Sequence, residues 1–120
     1  MGPRQWIHRA RLGAIAVAMT AGLACTSPTL PLPPPALPTV SLGNEPNTFR
    51  LSSERGSLPN ALIVVVNRNE LLPRTERVQG TIADEQGSWE LDVIGHVGDI
   101  VDISQEDGTT RSPATSVTLK

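Results

Sequence analysis

At 120 residues and a formal net charge of −2, the chain has room for one small domain. Its charge is uneven: Arg4, Arg9 and Arg11 lie at the start, and after Cys25 seven basic residues meet all twelve acids, a net of −5. That acidic remainder argues against nucleic acid as a partner, because phosphate backbones call for clustered Lys and Arg. Phe49 and Trp89 are the only aromatics past Cys25, too few for a stacking platform, and a single cysteine allows no internal disulfide.

The first segment has three parts. Met1 to Arg11 carries three arginines and His8, Leu12 to Ala24 is thirteen residues of apolar or small side chains, and Ala24-Cys25 closes it. Crossing about 30 Å of hydrocarbon takes roughly 20 apolar residues. Thirteen residues followed by Pro28 suit the core of a secretory signal better than a permanent membrane helix. Ala21-Gly22-Leu23-Ala24-Cys25 resembles the lipobox of bacterial lipoproteins, with Gly22 departing from the leucine usual there. The resemblance implies removal of residues 1–24 between Ala24 and Cys25, and acylation of the Cys25 thiol and of its new amine. Several acyl chains, at about 0.8 kcal/mol per buried methylene, make an anchor that does not release. Thr26 is not the aspartate that resembles an inner-membrane retention signal, so the outer membrane is the expected address, on its periplasmic or surface side. The alternatives are cleavage after Ala24 with a free Cys25, and an uncut anchor.

Residues 25–38 form the linker. Six prolines between Pro28 and Pro38 bias the backbone to polyproline II, rising about 3.1 Å per residue. A spacer is the expected role, and a ligand for an SH3-like groove is the competing one.

From Thr39 to Lys120 the pattern changes to short apolar runs with turns every eight to twelve residues, which predicts a small all-β antiparallel sandwich. The predicted strands are Val40–Leu42 at an edge, Thr48–Ser52, Ala61–Asn67, Glu76–Ala83, Ser88–Ile94, Ile100–Gln105 and Ala114–Leu119. Asp84-Glu85-Gln86-Gly87 and Glu106-Asp107-Gly108 are predicted turns, joining an Asp that can bond its own backbone to a Gly free to take positive φ. Alternation assigns Trp89, Leu91 and Val93 to a buried face, with Trp89 the largest block of core. Val101 and Ile103, Val117 and Leu119, and Val78, Gly80 and Ile82 are assigned inward in the same way.

Four stretches then resemble bacterial immunoglobulin-like modules: Ala61-x-Ile63-x-Val65-x-Asn67, Ala83-Asp84-x-x-Gly87-x-Trp89, Gly98-Asp99-x-Val101-x-Ile103, and Ser112-Pro113 ahead of Val117. These are turn and core positions, so the resemblance implies an immunoglobulin-like fold and a surface or envelope setting without implying a ligand. A carboxypeptidase-regulatory-like sandwich shares much of the pattern.

Ala61 to Val66 is apolar on both faces. With Ile63 and Val65 inward, Leu62, Val64 and Val66 point outward. Either the Val40 segment or the Asn44–Phe49 loop covers them, or they form a docking surface for an envelope or surface protein. Catalytic and metal chemistry find little material. His96 is the single histidine past Cys25, which leaves a zinc site without a second imidazole or a spare thiolate. Ser88, His96 and Asp99 could be composed into a triad, but no nucleophile-elbow sequence accompanies them. No enzyme, no cofactor and no dedicated metal site is expected. Asp84 with Glu85, and Glu106 with Asp107, are the nearest approach to a Ca2+ site and lack the spacing of a calcium loop. The expected protein is a membrane-anchored lipoprotein presenting one non-catalytic module for adhesion, scaffolding or envelope-complex assembly. The alternative is an accessory subunit that binds a protein or Ca2+.

Overall fold

Alternating residues with a two-residue period dominate after Thr39, and in the computed structural model, which describes residues 31–120, they form eight strands. These are β1 (Thr39–Leu42), β2 (Thr48–Ser53), β3 (Leu62–Asn67), β4 (Val78–Ile82), β5 (Trp89–Ile94), β6 (Ile100–Asp107), β7 (Thr110–Arg111) and β8 (Thr115–Thr118). A single helical turn, α1 (Arg74–Arg77), follows Pro73. It takes the place of the expected start of a strand at Glu76. No helix among the described residues is long and apolar enough to cross a membrane.

All strand pairs are antiparallel. One sheet has the order β1-β2-β5; the other runs β4-β3-β6, with β7 and β8 both pairing β6. The chain crosses between sheets after β2, β4 and β5, so its hairpins are interleaved into an all-β sandwich. The core lies between the sheets. Phe49, Leu51, Trp89 and Val93 come from one sheet; Ile63, Val65, Val101 and Ile103 come from the other, with Leu119 closing one end. Each such side chain, taken fully from water, contributes about 2 kcal/mol. Trp89 holds the expected core position at 5% exposed, although its indole N–H finds no acceptor among the described residues.

The first predicted turn follows its sequence chemistry. Asp84 accepts at Oδ1 from the N–H groups of Gln86 and Ser88, both at 2.9 Å, and Gly87 takes φ +82°. A Cβ at Gly87 would stand 2.1 Å from the Ser57 carbonyl oxygen, so this position requires glycine twice over. The second predicted turn is shifted: Glu106 and Asp107 extend β6 and pair with β7, and the β6–β7 hairpin turns at Gly108-Thr109, with Gly108 at φ +64°.

The end of the proline-rich stretch is packed on the sandwich. Gln105, buried on β6, donates from Nε2 to the Pro33 carbonyl at 2.7 Å and accepts the Leu58 N–H at 2.7 Å. The Ala36 N–H reaches Gly56 O at 2.8 Å, and the Thr115 hydroxyl donates to Pro35 O. Pro35 and Pro38 are buried. Strand pairing begins at Thr39, one residue ahead of the predicted Val40, and the packed body already includes Pro33 to Pro38. The signal segment 1–24, Ala24 and Cys25 lie outside the described residues.

Candidate docking surface

In β3 the inward side chains Ile63, Val65 and Asn67 are at most 2% exposed, and this commits Leu62, Val64 and Val66 to the opposite face. The strand register then decides their neighbours. Leu62 pairs with Ile82, Val64 with Gly80 and Val66 with Val78, so three β4 residues join the same outer face. Leu62 is 37% exposed, Val78 50% and Ile82 61%; Val64 and Val66 are half-buried.

The two expected covers lie elsewhere. Val40 is in β1 of the other sheet and packs toward the core, and Phe49 is itself a core residue. Neither covers the outer face of β3, where Leu62 stays exposed and Val64 and Val66 half-buried. What results is a contiguous apolar strip, Leu62, Val64, Val66, Val78 and Ile82, with Gly80 at its centre. Contiguous exposed apolar area of this kind is what protein contacts consume.

One expectation is corrected by this arrangement. Alternation assigns Val78, Gly80 and Ile82 to the core, and all three are on the surface. Gln79 and Thr81, paired with Val65 and Ile63, take the inner side of β4 and are half-buried. Antiparallel pairing puts directly opposite residues on the same face, so the orientation of β4 is dictated by β3 and not by its own composition.

The other flank of β3 is polar. Leu62, Val64 and Val66 pair there with Glu106, Ser104 and Asp102 of β6. Arg68 donates from Nε and Nη2 to both oxygens of Asp102, each at 2.8 Å, and Ser116 adds a third bond at 2.6 Å. The Arg68 hydrogen bonds, against the opposing pull of burial, hold the Asp102 carboxyl below the usual carboxylate range. Arg111 Nε donates to Glu106 at 2.9 Å. The strip is thus bordered on one side by ion pairs and on the other by the free edge of β4.

The remaining expected site residues are dispersed. Ser88 precedes β5 and His96 follows it, and the intervening strand keeps them roughly 25 Å apart. The composed triad is not assembled. Asp99 instead accepts from Asn67 Nδ2 at 3.1 Å, Asn69 Nδ2 at 3.1 Å and the His96 N–H at 2.9 Å, a knot that ties the turn after β5 to the turn after β3. Burial pushes the Asp99 carboxyl up, and those donors outweigh it and hold it below its ordinary value. Sequence pattern does not reveal the knot: Asn67 is only the end of a predicted strand, and nothing in the pattern links it or Asn69 to Asp99. The acidic turns have partners of their own: Asp84 caps its turn and Glu106 holds Arg111. No group of three or more His, Cys, Asp or Glu is placed to hold a metal among the described residues.

Compared with family models, with curated proteins and with solved structures, the chain matches none.

Proposed function

We propose that the chain is an exported bacterial protein, anchored by acyl chains on Cys25, which presents one non-catalytic immunoglobulin-like module for docking to envelope or surface proteins. The anchor reading is supported by the order of charges, apolar run and Ala24-Cys25 in the sequence. The immunoglobulin-like reading is supported by a three-stranded sheet, β1-β2-β5, facing a larger one in which β3 and β6 are neighbours. The single observation that carries the docking role is the uncovered apolar strip on β3 and β4, on a domain whose other outer face is polar. With Pro33 to Pro38 bound to the sandwich, any spacer role falls to residues before Pro31.

Two measurements test the two halves. Intact mass of protein extracted from membranes should show loss of residues 1–24 and the added mass of acyl chains on Cys25. An unmodified thiol on freely soluble protein refutes the anchor. For the docking face, Val64→Glu should leave the unfolding free energy within about 1 kcal/mol of the parent, because the side chain is half-buried on an open face. It should also abolish capture of the partner. Loss of folding would show that the face is core.

A further inference from the structure

We propose that the free edge of β4 pairs antiparallel with β4 of a second copy of this chain, across a two-fold axis at Gly80. This rests on the docking reading and names the partner of the edge that borders the strip. The parity of the β3–β4 ladder is fixed by the Ala83 N–H bonding Ala61 O at 2.8 Å. Hydrogen-bonded and non-bonded pairs alternate along an antiparallel ladder, so Gln79, Thr81 and Ala83 turn their main-chain groups toward β3. The N–H and C=O groups of Val78, Gly80 and Ile82 therefore point away from the sheet. The edge and the exposed side chains belong to the same three residues.

Edges of this kind are normally blunted by charge, proline, bulges or short length. The other edges here show such devices. The β5 edge carries Glu90 and Asp92, β7 is two residues long and ends in Arg111, Pro113 stands shortly before β8, and Pro38 precedes β1. Val78–Ile82 has no charge and no proline.

Symmetry favours a copy of the same strand. With Gly80 on the axis, each copy's Val78 lies opposite the other's Ile82, and all three outward residues exchange main-chain bonds with a counterpart. Opposed residues share a face, so the strips of both copies merge into one apolar surface. Charge fits the same direction. Arg74 and Arg77 stand at the start of β4 with Glu76 between them, a net of +1, and Arg77 is held by its bond to Asn67 O at 3.1 Å. At the far end, Ile82 borders an open cleft of about 560 Å³ whose wall includes Glu54 and Asp84, along with Glu90, which is paired to Arg50 at 3.1 Å. A two-fold antiparallel pairing sets each basic end beside the other copy's acidic cleft. A parallel pairing would set like charges together.

Sedimentation velocity of the full chain, in density-matched detergent across a concentration series, tests this together with amide hydrogen exchange. A dimer is expected, weakened by added salt, with exchange at Gly80 slowed at least about tenfold as it forms. Gly80→Pro removes an outward N–H without touching the bonds to β3 and should give a folded monomer. Ile82→Lys, at an exposed site, should do the same and stands in if the proline variant fails to fold. A chain that remains monomeric throughout, with Gly80 exchanging freely, overturns the pairing, as does a dimer that survives Ile82→Lys. If that monomer still captures a different protein and loses it on Val64→Glu, the pairing is wrong and the docking reading stands. If Val64→Glu then changes nothing, both are wrong.

Discussion

Strands β4 and β5 have nearly the same binary pattern and opposite fates. In β5, Trp89, Leu91 and Val93 turn inward while Glu90 and Asp92 meet water. In β4, Val78 and Ile82 meet water while Gln79 and Thr81 turn inward. The difference comes from their partners. β5 pairs with β2 so that Trp89, Leu91 and Val93 stand opposite Ser53, Leu51 and Phe49, two of which are core residues. β4 pairs with β3, whose Ile63 and Val65 already occupy the core and oppose Thr81 and Gln79. Alternation sets the period of a strand; only its register against a committed neighbour sets which side is wet. A strand of mixed composition beside an all-apolar one is where the two can disagree.

Trp89→Ala should break the buried side of this contrast with the largest effect. The side chain is 5% exposed and no other residue in the core is as large, so truncation removes transfer energy and leaves a cavity, about 4 kcal/mol together. In a domain this small, that is most of the stability. Urea unfolding followed by far-UV circular dichroism is the measurement. A cost below about 1 kcal/mol would mean that β5 is no better buried than β4 and would erase the distinction.

Asp99→Asn should come next, because Asp99 fixes where β3 ends and so helps hold the neighbour that orients β4. The substitution places an amide donor among the Asn67, Asn69 and His96 donors and should cost about 2 kcal/mol near neutral pH. The folded carboxyl lies below its unfolded value of about 4, so its contribution is complete above that pH and is lost as pH falls through the lower folded value. Between about pH 5 and the acid limit the parent should therefore lose more stability than the Asn variant. Equal losses, read from denaturant midpoints at several pH values, would show that Asp99 is not held in its charged form by folding.

How much of this could be read from the residues depends on what kind of interaction wrote them. The strand cores, the Asp84–Gly87 turn and the inward placing of Trp89 are local pattern or self-contained turn chemistry, and they were legible. The outward direction of Leu62, Val64 and Val66 was legible only as a condition on Ile63 and Val65 being inward, since a run apolar on both faces does not itself choose, and the burial of Ile63 and Val65 makes the choice. The face of β4 was not legible, because it is a property of the β3–β4 register; Gly80 at the centre of the supposed core side was the available hint, since a glycine buries nothing. The Asp99 knot joins residues 30 and 32 positions apart in sequence, and the docking of Pro33 on Gln105 spans 72. Periodicity carries no record of contacts at that separation. Proline content announced an extended backbone and was silent on what that backbone would touch.

Ile82→Thr should have the smallest effect on the isolated fold, and it sharpens the comparison most directly. At 61% exposed, Ile82 contributes little burial to the monomer, and threonine keeps the β-branched shape that the strand favours. The expected change in unfolding free energy is within about 0.5 kcal/mol. The matching swap in β5, Val93→Thr, buries a hydroxyl at a site 2% exposed and should cost about 2 kcal/mol more. Paired denaturation curves at a concentration low enough to keep the chain monomeric give both numbers. Similar costs for the two strands would mean that the outer face of β4 is covered in solution even without a partner, and its apolar side chains would then be core after all.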